Sequence, residues 1–230
     1  MSVELDANKL VETIKVLKLR INDRFPDSGL EDVCLQFLNI ARKSKKNAEW
    51  IAKPNLALRI SSYLAIAIAV IGIIYTITYV EFKFKDNTLV GVMTFLDAFM
   101  NDIVLMGAAI FFLVTIESRV KRKRALERLN ELRVIAHVVD MHQLTKDPGV
   151  IGKEGMNTPN SPERVMTRFE LERYLDYCSE AMSLISKVAL LYAQSMPDEV
   201  IVRSVNEIED LTNGLSRKIY QKLMILHQDK

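Results

Sequence analysis

Cysteine, glycine and proline are scarce in this chain of 230 residues, which has two cysteines, eight glycines and six prolines. Cys34 and Cys178 lie on apolar faces of predicted helices and share no short spacing, which argues against a disulfide framework or a zinc knuckle. The hydrophobic content of 49% is too high for a disordered, collagen-like or mucin-like chain. We therefore expect a packed protein of a reducing compartment.

An excess of charge of one sign is also missing, because 31 lysines and arginines are offset by 29 acidic residues. A net charge of +2 produces no global field that would recruit nucleic acid, and no basic stripe is interleaved with aromatic residues. The sequence has no phosphate-binding loop, no G-x-S-x-G elbow and no H-E-x-x-H motif. We expect no nucleic-acid partner, do not take an enzyme as the default, and assign no cofactor.

The charges that are present are segregated along the chain. The 21 residues from Ile60 to Val80 carry no charge, and as a helix they cover about 30 Å, the thickness of a hydrocarbon core. A second apolar stretch, residues 103–116, becomes long enough to span when its helix begins near Ala98. Charged, amphipathic residues precede the first stretch, which distinguishes it from a signal peptide. The sequence predicts membrane spans over about 60–80 and 98–118.

Basic residues flank the two predicted spans and are sparse between them. They are Arg42, Lys43, Lys45, Lys46, Lys53 and Arg59 before the first span, and Arg119, Lys121, Arg122, Lys123 and Arg124 after the second. By the positive-inside rule both termini are cytoplasmic, joined through a short outer loop, in a bacterial-type inner membrane. The same basic clusters also suit contact with anionic lipid headgroups, and the sequence does not separate the two roles.

Small residues form one stripe along the first span. They recur at spacings of three and four and are Ser61, Ala65, Ala69, Gly72 and Thr76. Such stripes let helix backbones approach closely in lipid, so the partner is either the second span, through Asn101, Ala108 and Thr115, or another copy of the chain. Asp102, at the start of the second span, suits a helix N-terminus at the interface better than a pore-lining carboxylate.

Outside the membrane the periodicity is helical throughout. We divide the chain into N-terminal cytoplasmic helices (1–54), a transmembrane hairpin (55–118), a continuation of the second span (119–147), a loop (148–166) and a C-terminal helical hairpin (167–230). The loop is either a mobile binding element or a solvated connection, and its Thr158-Pro159 and Ser161-Pro162 dipeptides suit phosphorylation or ordinary turns. The predicted fold is all-α, with a cytoplasmic helical bundle beneath a two-helix transmembrane hairpin.

Several helix boundaries and buried faces can be predicted from local signals. Ser28 and Glu31, and Thr167 and Glu170, have the spacing of capping boxes, and Pro197 marks the first turn of the last helix. The helix that follows Thr167 has an apolar surface wider than one stripe, so it should pack against at least two neighbours. Three faces should be buried, and they carry Val3, Ala7, Leu10, Ile14, Leu17 and Ile21; Leu30, Cys34, Phe37 and Ala41; and Ile201, Val205, Ile208, Thr212, Leu215 and Ile219.

Two of the three histidines fall near the end of the continuation helix, and they define the candidate site: Arg133, His137, Asp140, His142 and Asp147. On a helix Arg133, His137 and Asp140 form one polar stripe among apolar residues, so we expect that turn to be buried. One hypothesis is a metal site completed by Glu170, Glu172 or Asp176, or an anion site that uses Arg133. The other is a hydrogen-bond network that fixes the helix register. His142 and Asp147 join a site only if the helix ends before them.

Two further aromatic features have alternative interpretations. Tyr174 and Tyr177 with Arg173 suit a ligand platform, although packing in the core is the simpler explanation. Trp50 precedes the first span among lysines, which suits an anchor at the membrane interface.

These patterns lead to three hypotheses for function. The first is a non-enzymatic membrane protein whose cytoplasmic bundle forms homo-oligomers or docks a helical partner. The second is an oligomeric gated pore, and the third is a membrane-tethered ligand or metal sensor, or an enzyme, that uses the cluster around His137. The order of helices and spans is similar in outline to that of two-transmembrane effector modules of bacterial conflict systems. This similarity is one of topology and does not rest on any particular residue.

Overall fold

The computed structural model describes residues 4–79, 89–150, 159–160 and 166–228, and these are all-helical, as predicted. The elements are α1 (Ala7–Arg24), α2 (Gly29–Ala52), α3 (Leu56–Tyr79), α4 (Leu89–Leu144), a short 3-10 helix (Pro148–Val150), α5 (Arg168–Ser195) and α6 (Glu199–Gln228). The predicted outer loop lies partly outside the described residues, and so does most of the 148–166 loop. Of its candidate phosphorylation dipeptides, only Pro159 is described.

Two compact units make up the chain. The bundle unit comprises residues 1–53 and 122–230, and the apolar unit comprises residues 54–121. Helix α4 contributes to both units and runs without interruption for 56 residues. This confirms that the second apolar segment continues as one helix to the break predicted near Pro148.

The apolar unit consists of α3 and the first part of α4. Among the described residues two helices are long and apolar enough to cross a membrane, and 6% of each apolar window is buried within the chain. A core helix of a globular protein would be mostly buried, so these helices carry their apolar side chains outward, as a lipid-facing helix does. Ile60, Tyr63 and Ile68 of α3 and Phe111 of α4 are among the exposed side chains.

A single carboxylate joins the start of α3 to α4 inside the apolar unit. Glu117 accepts hydrogen bonds from the backbone N–H of Asn55 at 2.8 Å, from Nε of Arg59 at 2.6 Å and from Nζ of Lys121 at 2.9 Å. Because three donors converge on one partly buried carboxylate, the first turn of α3 is held against α4 beside Glu117.

Helix α5 lies at the centre of the bundle unit, with α1, α2 and α6 packed around it. Its buried side chains extend around most of its circumference, which confirms that it packs against at least two neighbours. They are Leu171, Tyr174, Leu175, Tyr177, Cys178, Ala181, Met182, Leu184, Ile185, Val188, Ala189, Leu191 and Tyr192. The faces predicted for α2 and α6 are also buried, as are Leu10, Ile14, Leu17 and Ile21 of the face predicted for α1. Ala7 is partly buried against the same core, and Val3 lies outside the described residues.

The helix starts follow the sequence signals with two corrections. Thr167 and Glu170 form the predicted capping box of α5. Ser28 caps α2, but the carboxylate of Glu31 accepts from the N–H of Asp27 instead of that of Ser28, so the box is not reciprocal. Asp27 itself has a positive φ of 55°, in the left-handed region of the backbone.

Helix α6 begins at Glu199 and is capped by Asp198, so Pro197 lies before the helix and not in its first turn as predicted. Oδ1 of Asp198 accepts from the backbone N–H groups of Val200 and Ile201, and its Oδ2 accepts from Nε and Nη2 of Arg122 at 3.0 and 2.5 Å. Burial acts to raise the pKa of Asp198, but the bonds from Arg122 and the two amides outweigh it and hold the pKa below its ordinary value. One carboxylate therefore caps α6 and ties it to α4.

Replacing this carboxylate should destabilise the bundle unit in a pH-dependent way. We expect Asp198→Ala to lower the free energy of unfolding at pH 7 by about 1–2 kcal/mol, because the cap and the ion pair are both lost. The folded-state pKa lies below the unfolded one, so the charge stabilises above the unfolded pKa and this contribution is lost as the pH falls through the folded value. The difference in free energy of unfolding between Asp198→Ala and wild type should narrow below about pH 4.

Thermal unfolding of the full chain in detergent, followed by circular dichroism at pH 7 and pH 3, measures this difference. Glu209→Ala, at an exposed position of the same helix, is the matched control and should melt like wild type at both pH values. An Asp198→Ala deficit of the same size at both pH values would show that the charge contributes nothing.

Candidate functional site

The residues predicted to form a site at the end of α4 are distributed over different contacts. Nη2 of Arg133 donates to Oε2 of Glu207 on α6 at 2.6 Å. His137 is exposed, and Asp140 is half-buried. Arg133 is therefore engaged between two helices while His137 faces solvent, so the two side chains do not act on a common ligand.

The expectation that this turn of α4 is buried nearly all round is wrong. Within the bundle unit α4 buries one side, which carries Ala125, Leu129, Leu132, Ile135, Ala136, Val139 and Gln143. Val134, Met141 and Leu144 on the opposite side are exposed by 53%, 63% and 60%. Within the part of the chain that the structure describes, neighbours cover one side of the helix, and His137 lies on the other.

Asp140 and Asp147 belong to a polar network that fastens the end of α4 to α6. Nε2 of Gln143 donates to Oδ1 of Asp140 at 2.6 Å, and Nζ of Lys222 donates to the backbone carbonyl of Gln143 at 2.6 Å. Burial lowers the pKa of Lys222, and the charges of Asp147 and Asp140 oppose this effect. Asp147 also accepts the N–H of Gly149 at 2.9 Å, where the chain turns after the helix. These bonds and the bond between Arg133 and Glu207 link the end of α4 to α6.

The side chain of His142, near the end of α4, packs against the start of α2 and does not lie on the exposed face that carries His137. A Cβ built on Gly29 would lie 2.4 Å from Cε1 of His142, so the imidazole packs directly on the glycine backbone. Beside it is a cleft of about 360 Å³, whose walls include Ser28, Met141, Lys146 and Tyr174. The hydroxyl of Tyr174 donates to the carbonyl of His142 at 3.4 Å. This histidine therefore has a packing role at a helix junction.

A larger cleft of about 730 Å³ lies between the end of α1 and the start of α5. Arg20, Arg24, Phe169, Arg173 and Tyr177 line it, with the guanidinium carbons of Arg20 and Arg24 5.1 Å from the ring centres of Tyr177 and Phe169. Arg173 and Tyr177 were candidates from the sequence alone. Arg20 and Arg24 were not, because no local signal brings α1 and α5 together.

Two of the three arginines around this cleft are ion-paired within the chain. Arg20 donates to both oxygens of Glu180, at 2.7 and 3.1 Å, and Arg173 pairs with Asp176 at 2.6 Å. Tyr177 is buried and makes an edge contact with Phe25, with ring centres 6.3 Å apart. These contacts favour core packing over the ligand-platform interpretation.

Metal binding finds no support within the described ranges. Among residues 4–79, 89–150, 159–160 and 166–228, no three His, Cys, Asp or Glu side chains come close enough to share an ion. Glu170 is occupied by the backbone N–H and hydroxyl of Thr167, and Asp176 by Arg173. The proposed donors from α5 therefore serve the helix cap and ion pairs.

In the apolar unit the small-residue stripe is not the most buried side of α3. Ser61 is exposed and its hydroxyl donates to the carbonyl of Leu58, whereas Ser62 is buried. Ala65 and Ala69 are half-buried, Gly72 is exposed, and the side chain of Thr76 is outside the described part of the chain. On α4, Asn101 and Ala108 are exposed, and Thr115 donates to carbonyls of its own helix. The side chain of Asp102 is also outside the described part.

The basic cluster of α4 is used largely for contacts within each unit. In the apolar unit Arg119 donates to Oγ1 of Thr115, and Lys121 pairs with Glu117. In the bundle unit Arg122 pairs with Asp198, and the guanidinium of Arg124 lies 4.4 Å from the ring centre of Trp50. Lys123 is exposed. Trp50 is half-buried and packs against the bundle core. Its place at a membrane interface stays a prediction.

An exposed row of residues along α4 is the feature that the sequence analysis missed. Its members follow one another at spacings of three and four: Glu127, Asn130, Val134, His137, Met141 and Leu144. All six are exposed, and we call this row the α4 seam. The heptad spacing is visible in the sequence. The neighbouring stripe through Arg133 and Asp140 carries more residue types that indicate chemistry, and it led the prediction to that side.

The packing of His142 on Gly29 can be tested with two glycines of contrasting surroundings. Gly29→Ala should destabilise the bundle unit by roughly 1 kcal/mol, because the new Cβ displaces the imidazole. Gly214→Ala, in the interior of α6 with nothing within 4 Å of its Cβ, should stabilise it slightly, because alanine is the better helix former. Melting temperatures of the full chain measure both changes. Adding His142→Ala should remove the cost at Gly29, and a cost that persists would place the strain elsewhere.

Both native cysteines should be unreactive in the folded protein. Burial raises the pKa of each thiol to about 12, and Cys178 has no exposed surface. Because the thiolate is the reactive form, maleimide should label neither residue until the chain is unfolded. Mass spectrometry after timed labelling measures this, and a cysteine introduced at the exposed Val16 is the positive control. Labelling of wild type at the rate of Val16→Cys would contradict the buried positions.

Comparison of the chain with protein-family models, with curated proteins and with solved structures gives no match.

Proposed function

We propose that the chain is a non-enzymatic scaffold anchored in a membrane, whose helical bundle associates with other protein chains on the cytoplasmic side. The apolar unit supplies the anchor, as two spans with both termini cytoplasmic in a bacterial-type inner membrane. The bundle unit supplies the surface at which copies or partners meet.

The observation that carries this proposal is the exposed apolar row on α4. Val134, Met141 and Leu144 are each more than half exposed, although the same helix has a well-buried opposite side. Exposed apolar residues that recur on one helix face mark a protein contact more often than isolated ones do. Burying these three side chains between chains would remove their apolar surface from water at about 25 cal/mol per Å².

The wide apolar surface predicted from the sequence lies on a different helix, α5. There α1, α2 and α6 cover it within the same chain. The exposed apolar surface lies on α4 and, to a smaller extent, on α6, where Tyr220, Met224 and Ile225 are exposed. The surface that we propose for association is therefore on α4.

The roles of the polar residues support a scaffold rather than an enzyme. Arg133, Asp140 and Lys222 hold α4 against α6, and His142 packs on α2. A catalytic group must be free to reach a substrate, whereas these side chains are engaged in the contacts that define the bundle.

Native mass spectrometry of the full chain released from nanodiscs tests the proposal, because it reports subunit number and any retained molecule together. We expect wild type to give a complex of more than one chain without a small-molecule adduct. Met141→Lys should shift the distribution toward the monomer, because a lysine charge cannot be buried in an apolar contact without a large cost.

The matched control is Leu19→Lys, which places the same charge at an exposed apolar position of α1. It should leave the distribution unchanged. A wild-type chain that is monomeric in nanodiscs and has no protein partner would overturn the proposal, and a stoichiometric small-molecule adduct would favour a sensor instead.

A further inference from the structure

We infer that the apolar unit binds anionic phospholipids at two arginines, Arg59 at the start of α3 and Arg119 on α4. Each arginine takes the phosphate of one lipid on the two terminal nitrogens of its guanidinium. The inference rests on the membrane anchoring of the proposed function and adds a ligand to it. Both arginines and the groups that hold them lie within the apolar unit.

Arg59 is held through one of its three guanidinium nitrogens. Its Nε donates to Oε2 of Glu117 at 2.6 Å, while Oε1 of the same carboxylate accepts from Lys121 and from the backbone N–H of Asn55. Two side-chain cations therefore meet one carboxylate, which leaves one positive charge in excess. The side chain of Arg59 is 53% exposed, and Nη1 and Nη2 have no acceptor within the described part of the chain. These two nitrogens are oriented donors that a ligand can reach.

The same construction recurs at Arg119. Its Nε donates to Oγ1 of Thr115 at 3.2 Å, and its guanidinium carbon lies 5.4 Å from the ring centre of Phe112. The side chain is exposed, and no carboxylate among the described residues pairs with it. Glu117, two positions earlier, faces α3, so Arg119 points to the other side of α4. The two arginines are therefore separate sites.

The surroundings of both arginines suit a lipid. Tyr63 lies one turn after Arg59 on the same face of α3, close enough to interact with it electrostatically. Tyr63 and Phe112 are both more than half exposed, and so is the neighbouring Ile60. Arginine side chains beside exposed rings at the end of an apolar helix are typical of the boundary between hydrocarbon and headgroups. The anions present at that boundary are lipid phosphates.

The chemistry of the two arginines favours an anionic phospholipid. A guanidinium matches two phosphate oxygens with two parallel hydrogen bonds, whereas a lysine ammonium acts as a point charge. A zwitterionic headgroup carries an amine that offsets its phosphate, but the phosphate of phosphatidylglycerol is not offset, so it is attracted more strongly. The positive-inside rule needs only the charge. Replacing arginine by lysine therefore separates lipid binding from orientation, two roles that the sequence leaves together.

Native mass spectrometry of the full chain tests the inference after release from nanodiscs with equal amounts of phosphatidylglycerol and phosphatidylcholine. Wild type should retain phosphatidylglycerol several-fold more than phosphatidylcholine. Arg59→Lys and Arg119→Lys should each retain several-fold less phosphatidylglycerol, because the charge stays and the paired donors are lost. A retained lipid is recognised by its mass, which follows the lipid supplied, so it is distinguished from a ligand of the bundle unit.

The control is Lys123→Gln, which removes the charge of an exposed lysine on the same helix. It should retain as much phosphatidylglycerol as wild type. Thermal unfolding of the arginine variants shows that they are folded, since Arg59→Lys keeps a cation beside Glu117. A parallel sample with added inorganic phosphate distinguishes a lipid headgroup from a soluble phosphate.

The outcomes separate the lipid sites from the scaffold. Loss of phosphatidylglycerol in both arginine variants but not in Lys123→Gln supports the inference. Unchanged retention in the arginine variants, or an equal loss in Lys123→Gln, would show that charge alone attracts the lipid and would overturn it. Displacement of the lipid by inorganic phosphate would assign the arginines to a soluble ligand, which also overturns it. A complex of several chains without retained lipid overturns the lipid sites and leaves the scaffold intact, whereas a chain that does not enter nanodiscs overturns both.

Discussion

The bundle depends on one constraint, which is that α5 has an apolar surface too wide for a single neighbour. Its buried residues extend around most of the helix, from Leu171 and Tyr174 to Leu191 and Tyr192. Only several helices together can cover such a surface, and α1, α2 and α6 do so. The N-terminal and C-terminal parts of the chain, which the apolar segments separate in sequence, are thereby brought into one core.

This constraint also explains the two-sided character of α4. Because α5 already has three neighbours, α4 joins the core with a single side, through Leu129, Leu132 and Ala136. Its position is then fixed by polar contacts to α6, where Arg133 meets Glu207 and Asp198 receives Arg122. The opposite side stays exposed among the residues that the structure describes, and it carries the α4 seam.

More of the fold than of the candidate site could be predicted from the sequence. Hydrophobic periodicity located the buried faces of α1, α2, α5 and α6, and local signals located the cap at Thr167 and the break near Pro148, because these depend on neighbours along the chain. The fate of His137 and Asp140 could not be predicted, since it depends on which side of α4 meets α6. The cleft between Arg24 and Phe169 depends in the same way on contacts between distant segments. A polar residue on a helix indicates chemistry only when its side is known to be enclosed.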